Sequence, residues 1–244
     1  SIPGISAVTG PAAGSYKAGT VLEFRAAFTS PVTVVGIPTI DLTVGSTLRK
    51  AAYASGSGTG TLVFRYTVVA GDNDADGVAP AAVIVLPIGA SIRSTANGND
   101  AVLAFTAPDA SAVLVDTVAP LKPGLPNLVA ADDTGSSDSD NYTSRAAVTL
   151  DGVAEADGSV SVFRSGIKLG TATADGSGAW SLPNVALLAG PNAFTVTVTD
   201  KAGNPSVASD LLTVTRDSVA PTTPGVPDLI TLDDTGSSNI DNVT

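Results

Sequence analysis

Residues 194–199 read Phe194-Thr195-Val196-Thr197-Val198-Thr199, with apolar and polar side chains in strict alternation. Successive side chains of a β-strand point to opposite faces, so this stretch is typical of a strand with one buried face. The same alternation recurs through Leu22–Phe28 and Leu62–Val68. Shorter apolar alternations lie at Val148/Leu150, Val160/Val162 and Leu212/Val214. Because no long stretch has a helical apolar period, the sequence predicts an all-β fold.

An internal repeat divides the chain. From Ala119 to Thr143, 15 of 25 residues are identical to those from Ala220 to Thr244, an offset of 101 residues. A period near 100 residues is the size of one immunoglobulin-like sandwich. We therefore expect one such domain at 1–116, a second at 117–217 and the incomplete start of a third repeat at 218–244. An Asp-x-Val-Ala-Pro step at each boundary predicts a short, stiff linker.

Composition excludes several classes of function. The chain has no Cys, His or Met, which argues against disulfides, thiol or imidazole catalysis and the usual zinc or haem sites. Its net charge of −11 argues against binding to nucleic acid or to an anionic membrane. The longest apolar stretch, 78–88, is broken by two prolines and is too short for a membrane helix. No secretion signal is present, so we expect any such signal to lie outside these residues.

The acidic residues themselves are informative, because 21 of the 23 are Asp. Asp favours turns and is a ligand for hard cations. Asp72, Asp74, Asp76 and Gly77 have the spacing of the first half of a calcium loop, in which alternate side chains converge on one ion. Val83 stands where an EF-hand has its bidentate Glu, so this is not an EF-hand. Two interpretations stay open: a calcium site completed by other oxygens, or a solvated hairpin loop.

A second acidic motif occurs twice. Asp132, Asp133, Asp138 and Asp140 recur as Asp233, Asp234, Asn239 and Asp241. The four carboxylates of the first copy lie within nine residues and would repel one another without a counter-ion. A polar loop with Asx turns is the alternative. We predict calcium in both copies.

These motifs together resemble a known family. Residues 117–217 resemble the bacterial immunoglobulin-like extender repeats of giant, type I-secreted RTX-type adhesins, through Ala119-Pro120, the 132–141 loop, Gly178-Ala179-Trp180-Ser181 and Asp200-Lys201-Ala202-Gly203-Asn204. Residues 1–116 look like a second immunoglobulin-like module, on looser motifs that include Tyr16-Lys17-Ala18-Gly19. The resemblance implies tandem immunoglobulin-like β-sandwich domains in an extended, calcium-stiffened array outside the bacterial cell. It implies that the chain is not an enzyme. It also implies that the partners of this segment are neighbouring repeats of the same chain or filament. The implied calcium ligands are Asp116, Asp132, Asp133, Asp140, Glu155, Asp200 and Asp217.

Strand parity predicts where these loops lie, because successive strands of a sandwich run in opposite directions. Glu155, Asp175 and Asp200 should share the end of the second domain that faces Asp116. The 132–141 loop should lie at the other end, near Asp217. A count of five strands before Asp72 also places the Asp72 loop at the junction with the second domain.

Two other functions stay open at this point. A glycan- or protein-binding module would need an exposed aromatic platform, to which only Tyr16, Tyr53, Tyr66 and Tyr142 could contribute. An accessory fragment of a secreted enzyme is the third possibility, although the sequence contains no catalytic constellation. For the segment 218–244 we predict order imposed by a neighbouring chain or by calcium, since a lone strand cannot bury its apolar face.

Overall fold

The computed structural model describes residues 1–238, 240 and 242–243. These residues form β-strands, turns and loops and contain no helix. Accordingly, the described part of the chain has no helix long and apolar enough to cross a membrane. The strands of the first half are β1 (Ile5–Thr9), β2 (Gly14–Tyr16), β3 (Val21–Val35), β4 (Thr39–Val44), β5 (Thr47–Ser55), β6 (Thr59–Thr67), β7 (Asn73–Asp74), β8 (Ala79–Val85), β9 (Ser91–Ser94) and β10 (Val113–Asp116). Those of the second half are β11 (Asn127–Leu128), β12 (Tyr142–Thr143), β13 (Ala147–Val153), β14 (Ser159–Arg164), β15 (Ile167–Thr173), β16 (Ala179–Ala186), β17 (Gly190–Thr199) and β18 (Leu212–Arg216).

Strands β1–β10 form the first sandwich. Its larger sheet has the order β1-β3-β6-β5-β4-β8, with β9 also paired to β3, and its smaller sheet has the order β2-β10-β7. The long strand β3 pairs with three strands: with β1 and β6 mainly through its first half, and with β9 through Val32–Val35. Its alternation buries Leu22, Phe24 and Ala26 completely, and these side chains lie in the core between the two sheets.

Strands β11–β18 form the second sandwich, with a sheet of order β11-β13-β16 facing a sheet of order β12-β18-β17-β14-β15. Its core contains Phe194, Val196 and Val198 of β17, all fully buried. Trp180 is 3% exposed and lies against Gly152, its cross-strand partner. A Cβ atom at position 152 would come within 3.0–3.2 Å of the indole ring, so the glycine makes room for the tryptophan.

The all-β prediction is confirmed, and so are the strands predicted from alternation. One detail of the strand count was wrong. Six strands precede Asp72 where the sequence predicts five, because Pro11 cannot donate to a ladder and the chain starts a separate short strand at Gly14. The Asp72 loop nevertheless lies at the outgoing end of the first sandwich, where β7 pairs with β10 just before the second sandwich begins.

Candidate functional site

The acidic loop, residues 132–141, connects β11 to β12 and is anchored by its first aspartate. The Asp132 carboxylate accepts a hydrogen bond from the Thr149 N–H on β13 at 2.6 Å and lies 3.3 Å from the Nε of Arg145. Its carbonyl oxygen accepts a hydrogen bond from the Thr143 hydroxyl at 2.6 Å. Asp132 therefore fixes the loop to the sheet.

Asp133 in the same loop has an unsatisfied buried oxygen. The residue is 7% exposed, and its Oδ2 accepts a hydrogen bond from the Asn141 N–H at 2.9 Å. Its Oδ1 is buried and has no hydrogen-bond partner in the described part of the chain. A buried carboxylate oxygen without a partner is costly unless a proton or a cation reaches it. Because Ca²⁺ binds carboxylate oxygens, Asp133 is the point at which this loop could hold a cation.

The repeat acidic loop, residues 233–242, has the same arrangement without a sandwich around it. Asp234 is 1% exposed, and its Oδ2 accepts a hydrogen bond from the Asn242 N–H at 3.2 Å. Its Oδ1 is again buried without a partner among the described residues. Asn141 and Asn242 both have positive φ angles, 62° and 57°, a conformation that Asn adopts more readily than most residues. The same buried aspartate with one unpartnered oxygen thus forms in two copies of the loop that have different surroundings. The local sequence is therefore sufficient to form it.

The other predicted ligands of these loops that the structure describes are exposed or are bonded to the main chain. Asp138 and Asp140 are exposed, and the Asp140 carboxylate accepts a hydrogen bond from a main-chain N–H two residues further on. The Asp233 N–H donates to the carbonyl oxygen of Ile230 at 2.8 Å and so closes the turn that leads into the repeat loop. In the part of the chain that the structure describes, no three acidic side chains are grouped as a metal site. Calcium in these loops stays a prediction, and Asp133 and Asp234 are its best-placed ligands.

Asp241 lies outside the described residues. It is the counterpart of Asp140 in the repeat acidic loop. Of the predicted ligands in that loop, the structure describes Asp233 and Asp234.

The Asp72 side chain is fully buried and already has a cation beside it. Its Oδ1 lies 2.6 Å from the Nη2 and 2.8 Å from the Nε of Arg49. Its Oδ2 accepts hydrogen bonds from the Tyr66 hydroxyl and, at 3.1 Å, from the Val69 N–H. Burial raises the pKa of Asp72, but the bonds from Tyr66, Val69 and Arg49 outweigh it, so this pKa lies below its ordinary value. Burial and the bond to Asp72 raise the pKa of Tyr66 to about 12.

The three aspartates of this loop do not converge on one point, contrary to the spacing argument. The Asp74 carboxylate accepts hydrogen bonds from the N–H groups of Gly45 at 2.7 Å, Gly77 at 2.8 Å and Asp76 at 3.3 Å. The side chain of Asp76 is exposed. The Asp72 carboxylate is therefore paired with Arg49, and the Asp74 carboxylate is hydrogen-bonded to main-chain N–H groups. The loop forms β7 and joins the smaller sheet instead.

The first sandwich holds the linker to the second sandwich by way of this loop. The Thr117 hydroxyl donates to the carbonyl oxygen of Asp72 at 2.9 Å and accepts a hydrogen bond from the Gly71 N–H at 3.0 Å. The Thr117 N–H donates to the Oδ1 of Asn73 at 3.0 Å. One linker residue is thus bonded to three consecutive residues of the loop.

The second sandwich holds the same linker from the other side. Asn204, 8% exposed, donates through Nδ2 to the carbonyl oxygen of Asp116 at 3.0 Å and to the Oδ2 of Asp200 at 2.8 Å. The Nζ of Lys17, from the first sandwich, donates to the Gly203 carbonyl oxygen at 2.8 Å. Asp200 therefore positions Asn204, and Lys17 bonds directly across the junction.

The loops of the second sandwich lie where strand parity predicts. The Asp157 N–H donates to the carbonyl oxygen of Asp175 at 3.3 Å, and the Asp157 carboxylate lies 3.2 Å from the Nζ of Lys201. The loops that hold Glu155, Asp175 and Asp200 thus share the end that faces the linker. Glu155 itself is exposed there.

Asp116 and Asp217 begin the two linkers in the same way. In each, the Oδ1 accepts a hydrogen bond from the N–H of the valine two residues later, at 2.9 Å. The Asp217 N–H donates to the carbonyl oxygen of Thr143 at 2.9 Å, so Asp217 lies beside the end of the acidic loop, as predicted. Both carboxylates act here as turn caps.

Sequence reasoning missed the side chains that bond the junction together: Lys17, Arg49, Thr117 and Asn204. Lys17 and Asn204 lie in motifs that carry the family resemblance. No one-dimensional pattern, however, pairs Lys17 with Gly203, 186 residues away.

Residues 118–218 match a family model described as a bacterial Ig-like domain. The matched residues span the second sandwich. No curated protein matched the chain. Among solved structures, the chain is similar to the BSP domain of a biofilm associated protein (18% identity, TM-score 0.30), over 87% of this chain and 30% of that one. It is also similar to the human OSCAR ligand-binding domain (13% identity, TM-score 0.34), over 85% of this chain and 96% of that one.

Proposed function

We propose that this chain is a structural extender segment of a large bacterial adhesin, on the cell surface or secreted. In this role the tandem sandwiches act as a spacer, which keeps a binding domain in another part of the protein at a distance from the cell. The observation that carries the proposal is the linker. Thr117 is hydrogen-bonded to the first sandwich and the adjacent Asp116 to the second, which restrains the angle between them. Relative motion is the default for two domains joined by a free linker. The Asp217 turn, which repeats the Asp116 turn, supports neighbouring repeats as partners.

Calcium is the proposed cofactor of the acidic loop and of its repeat. The unpartnered, buried Oδ1 atoms of Asp133 and Asp234 support it, since each could supply a ligand at no loss of an existing hydrogen bond. The remaining donors of these loops are carboxylate, hydroxyl and carbonyl oxygens, which suit a hard cation. Asp72 and Asp74 fit a cation poorly, because protein donors already use their oxygens.

Recognition of a glycan or protein by an aromatic platform has less support. Tyr66 is buried against Asp72, while Tyr16 and Tyr53 are half-buried. In the described part of the chain Tyr142 is the exposed aromatic side chain. A single exposed ring does not form a stacking surface.

Calorimetric titration of the chain with CaCl₂ tests the calcium proposal. We expect Asp133→Asn and Asp234→Asn each to weaken or remove one class of sites, since each removes a charge from a buried position. Asp76→Asn is the matched control, because it changes an exposed aspartate of the loop that Arg49 already neutralises. Titrations that are flat for the unmodified chain, or that respond to Asp76→Asn alone, contradict calcium in the acidic loops.

Small-angle X-ray scattering tests the extender role. A spacer with a restrained linker gives a curve that one fixed arrangement of the two sandwiches reproduces. A curve that requires a broad ensemble of interdomain angles contradicts the proposal.

A further inference from the structure

Three loops in the described part of the chain enclose a buried aspartate, namely Asp72, Asp133 and Asp234, and of these Asp72 alone is paired with a cationic side chain, Arg49 of β5. The four acceptor positions of the Asp72 carboxylate are taken by two Arg49 nitrogens, the Tyr66 hydroxyl and the Val69 N–H. Asp133 accepts one hydrogen bond, from Asn141, and keeps a buried Oδ1 without a partner among the described residues. A guanidinium is always charged and binds carboxylates through several N–H groups. Arg49 thus gives the buried Asp72 carboxylate a positive charge beside it, whereas in the acidic loop Arg145 pairs with Asp132 and Asp133 has no ion pair in the described part of the chain.

The loop that Arg49 stabilises is the one that holds the linker. Asp72 is anchored through its side chain, and its carbonyl oxygen accepts the hydrogen bond of the Thr117 hydroxyl. The next residue, Asn73, accepts the Thr117 N–H and pairs with Asp116 in the smaller sheet. The position of the linker on the first sandwich therefore depends on an ion pair inside the protein.

The contacts of the linker and of the first sandwich with the second sandwich also use donors and acceptors of the protein. They are the bond from Asn204 to the Asp116 carbonyl oxygen and the bond from Lys17 to the Gly203 carbonyl oxygen. Lys17 itself is fixed near the start of β3, where its carbonyl oxygen accepts the Thr20 N–H. A lysine ammonium at this place brings a positive charge to the loop that carries Asp200.

We propose that the junction between the two sandwiches is held by cations of the protein itself, Arg49 and Lys17, and keeps its angle without divalent metal. The outgoing end of the second sandwich, which has the acidic loop and Asp217, is the metal-dependent one; this contrast rests on the calcium proposal above. The chain would then contain one permanently restrained joint and one that responds to the calcium concentration.

Distance measurement between two spin labels tests this inference. The chain has no cysteine, so Thr43→Cys on β4 and Thr213→Cys on β18, both at exposed positions, accept labels specifically. We expect the same narrow distance distribution in CaCl₂ and in excess EDTA. In both buffers, Lys17→Ala and Thr117→Val should broaden it while leaving the two cores intact. Lys17→Ala removes a bond across the junction, and Thr117→Val removes the hydroxyl bonds that hold the linker to the first sandwich.

The controls separate the possible outcomes. Lys168→Ala changes an exposed lysine on β15 and should leave the distribution narrow, and circular dichroism checks that each variant is folded. Broadening of the unmodified chain by EDTA overturns the inference, and so does a Lys17→Ala, Thr117→Val double variant with an unchanged distribution. A flat calorimetric titration combined with a narrow distribution in EDTA overturns the calcium proposal and supports this one.

Discussion

Replacing Arg49 by Met tests how much the buried ion pair contributes to the first sandwich. The Asp72 side chain is 0% exposed and that of Arg49 is 31% exposed. Removing one partner of a buried ion pair costs about 3–5 kcal/mol. Because Arg49 reaches solvent and the bonds from Tyr66 and Val69 to Asp72 remain, we expect a loss of about 2–3 kcal/mol. At a urea dependence of about 1.5 kcal/mol per M, the midpoint of unfolding falls by roughly 1–2 M.

The assay can separate the two sandwiches, because the single tryptophan, Trp180, lies in the second one. Circular dichroism follows the unfolding of both, and tryptophan fluorescence follows the second alone. We expect Arg49→Met to shift the first transition and leave the fluorescence midpoint in place. Arg93→Met is the matched control, since its ion pair with Asp100 is exposed and contributes about 0–1 kcal/mol. Equal shifts for the two variants, or a shift of the fluorescence midpoint as large as that in circular dichroism, would refute the reasoning.

Four further predictions follow from the same structure. The pKa of Asp72 is lowered in the folded state, so the ionised carboxylate stabilises the first sandwich at neutral pH, and this stabilisation is lost as the pH falls through the lowered pKa. Unfolding of the first sandwich measured at a series of acid pH values should show this loss, and Asp72→Asn should weaken the pH dependence. Gly152→Ala places a Cβ 3.0–3.2 Å from the Trp180 ring and should destabilise the second sandwich by about 1–3 kcal/mol, seen in the fluorescence midpoint. Calcium at millimolar concentration should raise the melting temperature and a chelator should lower it, because binding to the folded loops adds to stability; identical melting curves would contradict this. Deletion of residues 222–244 should leave both unfolding transitions unchanged, since the two cores lie upstream. Loss of the second transition would show that the predicted domain boundary at residue 217 is wrong.

The repeat acidic loop shows how local sequence can build a site. Asp234 is enclosed by its own loop almost as Asp133 is, although no sandwich surrounds it. Sequence reasoning could find these aspartates because the motif recurs nearly unchanged and needs no distant partner. The Asp72 motif has a comparable density of carboxylates, yet its oxygens are taken by Arg49 and by main-chain N–H groups. Spacing alone could not distinguish these two cases.

By itself the sequence determined the all-β class, the strand faces and the repeat that sets the scale of the second domain. These properties depend on period-2 alternation and on turns, which are local along the chain. The tertiary structure alone decided which buried aspartate is paired with a cationic side chain and which side chains bond the junction. Arg49 reaches Asp72 from another strand, and Lys17 reaches Gly203 from another sandwich, so these contacts exist only once the sheets have brought distant segments together.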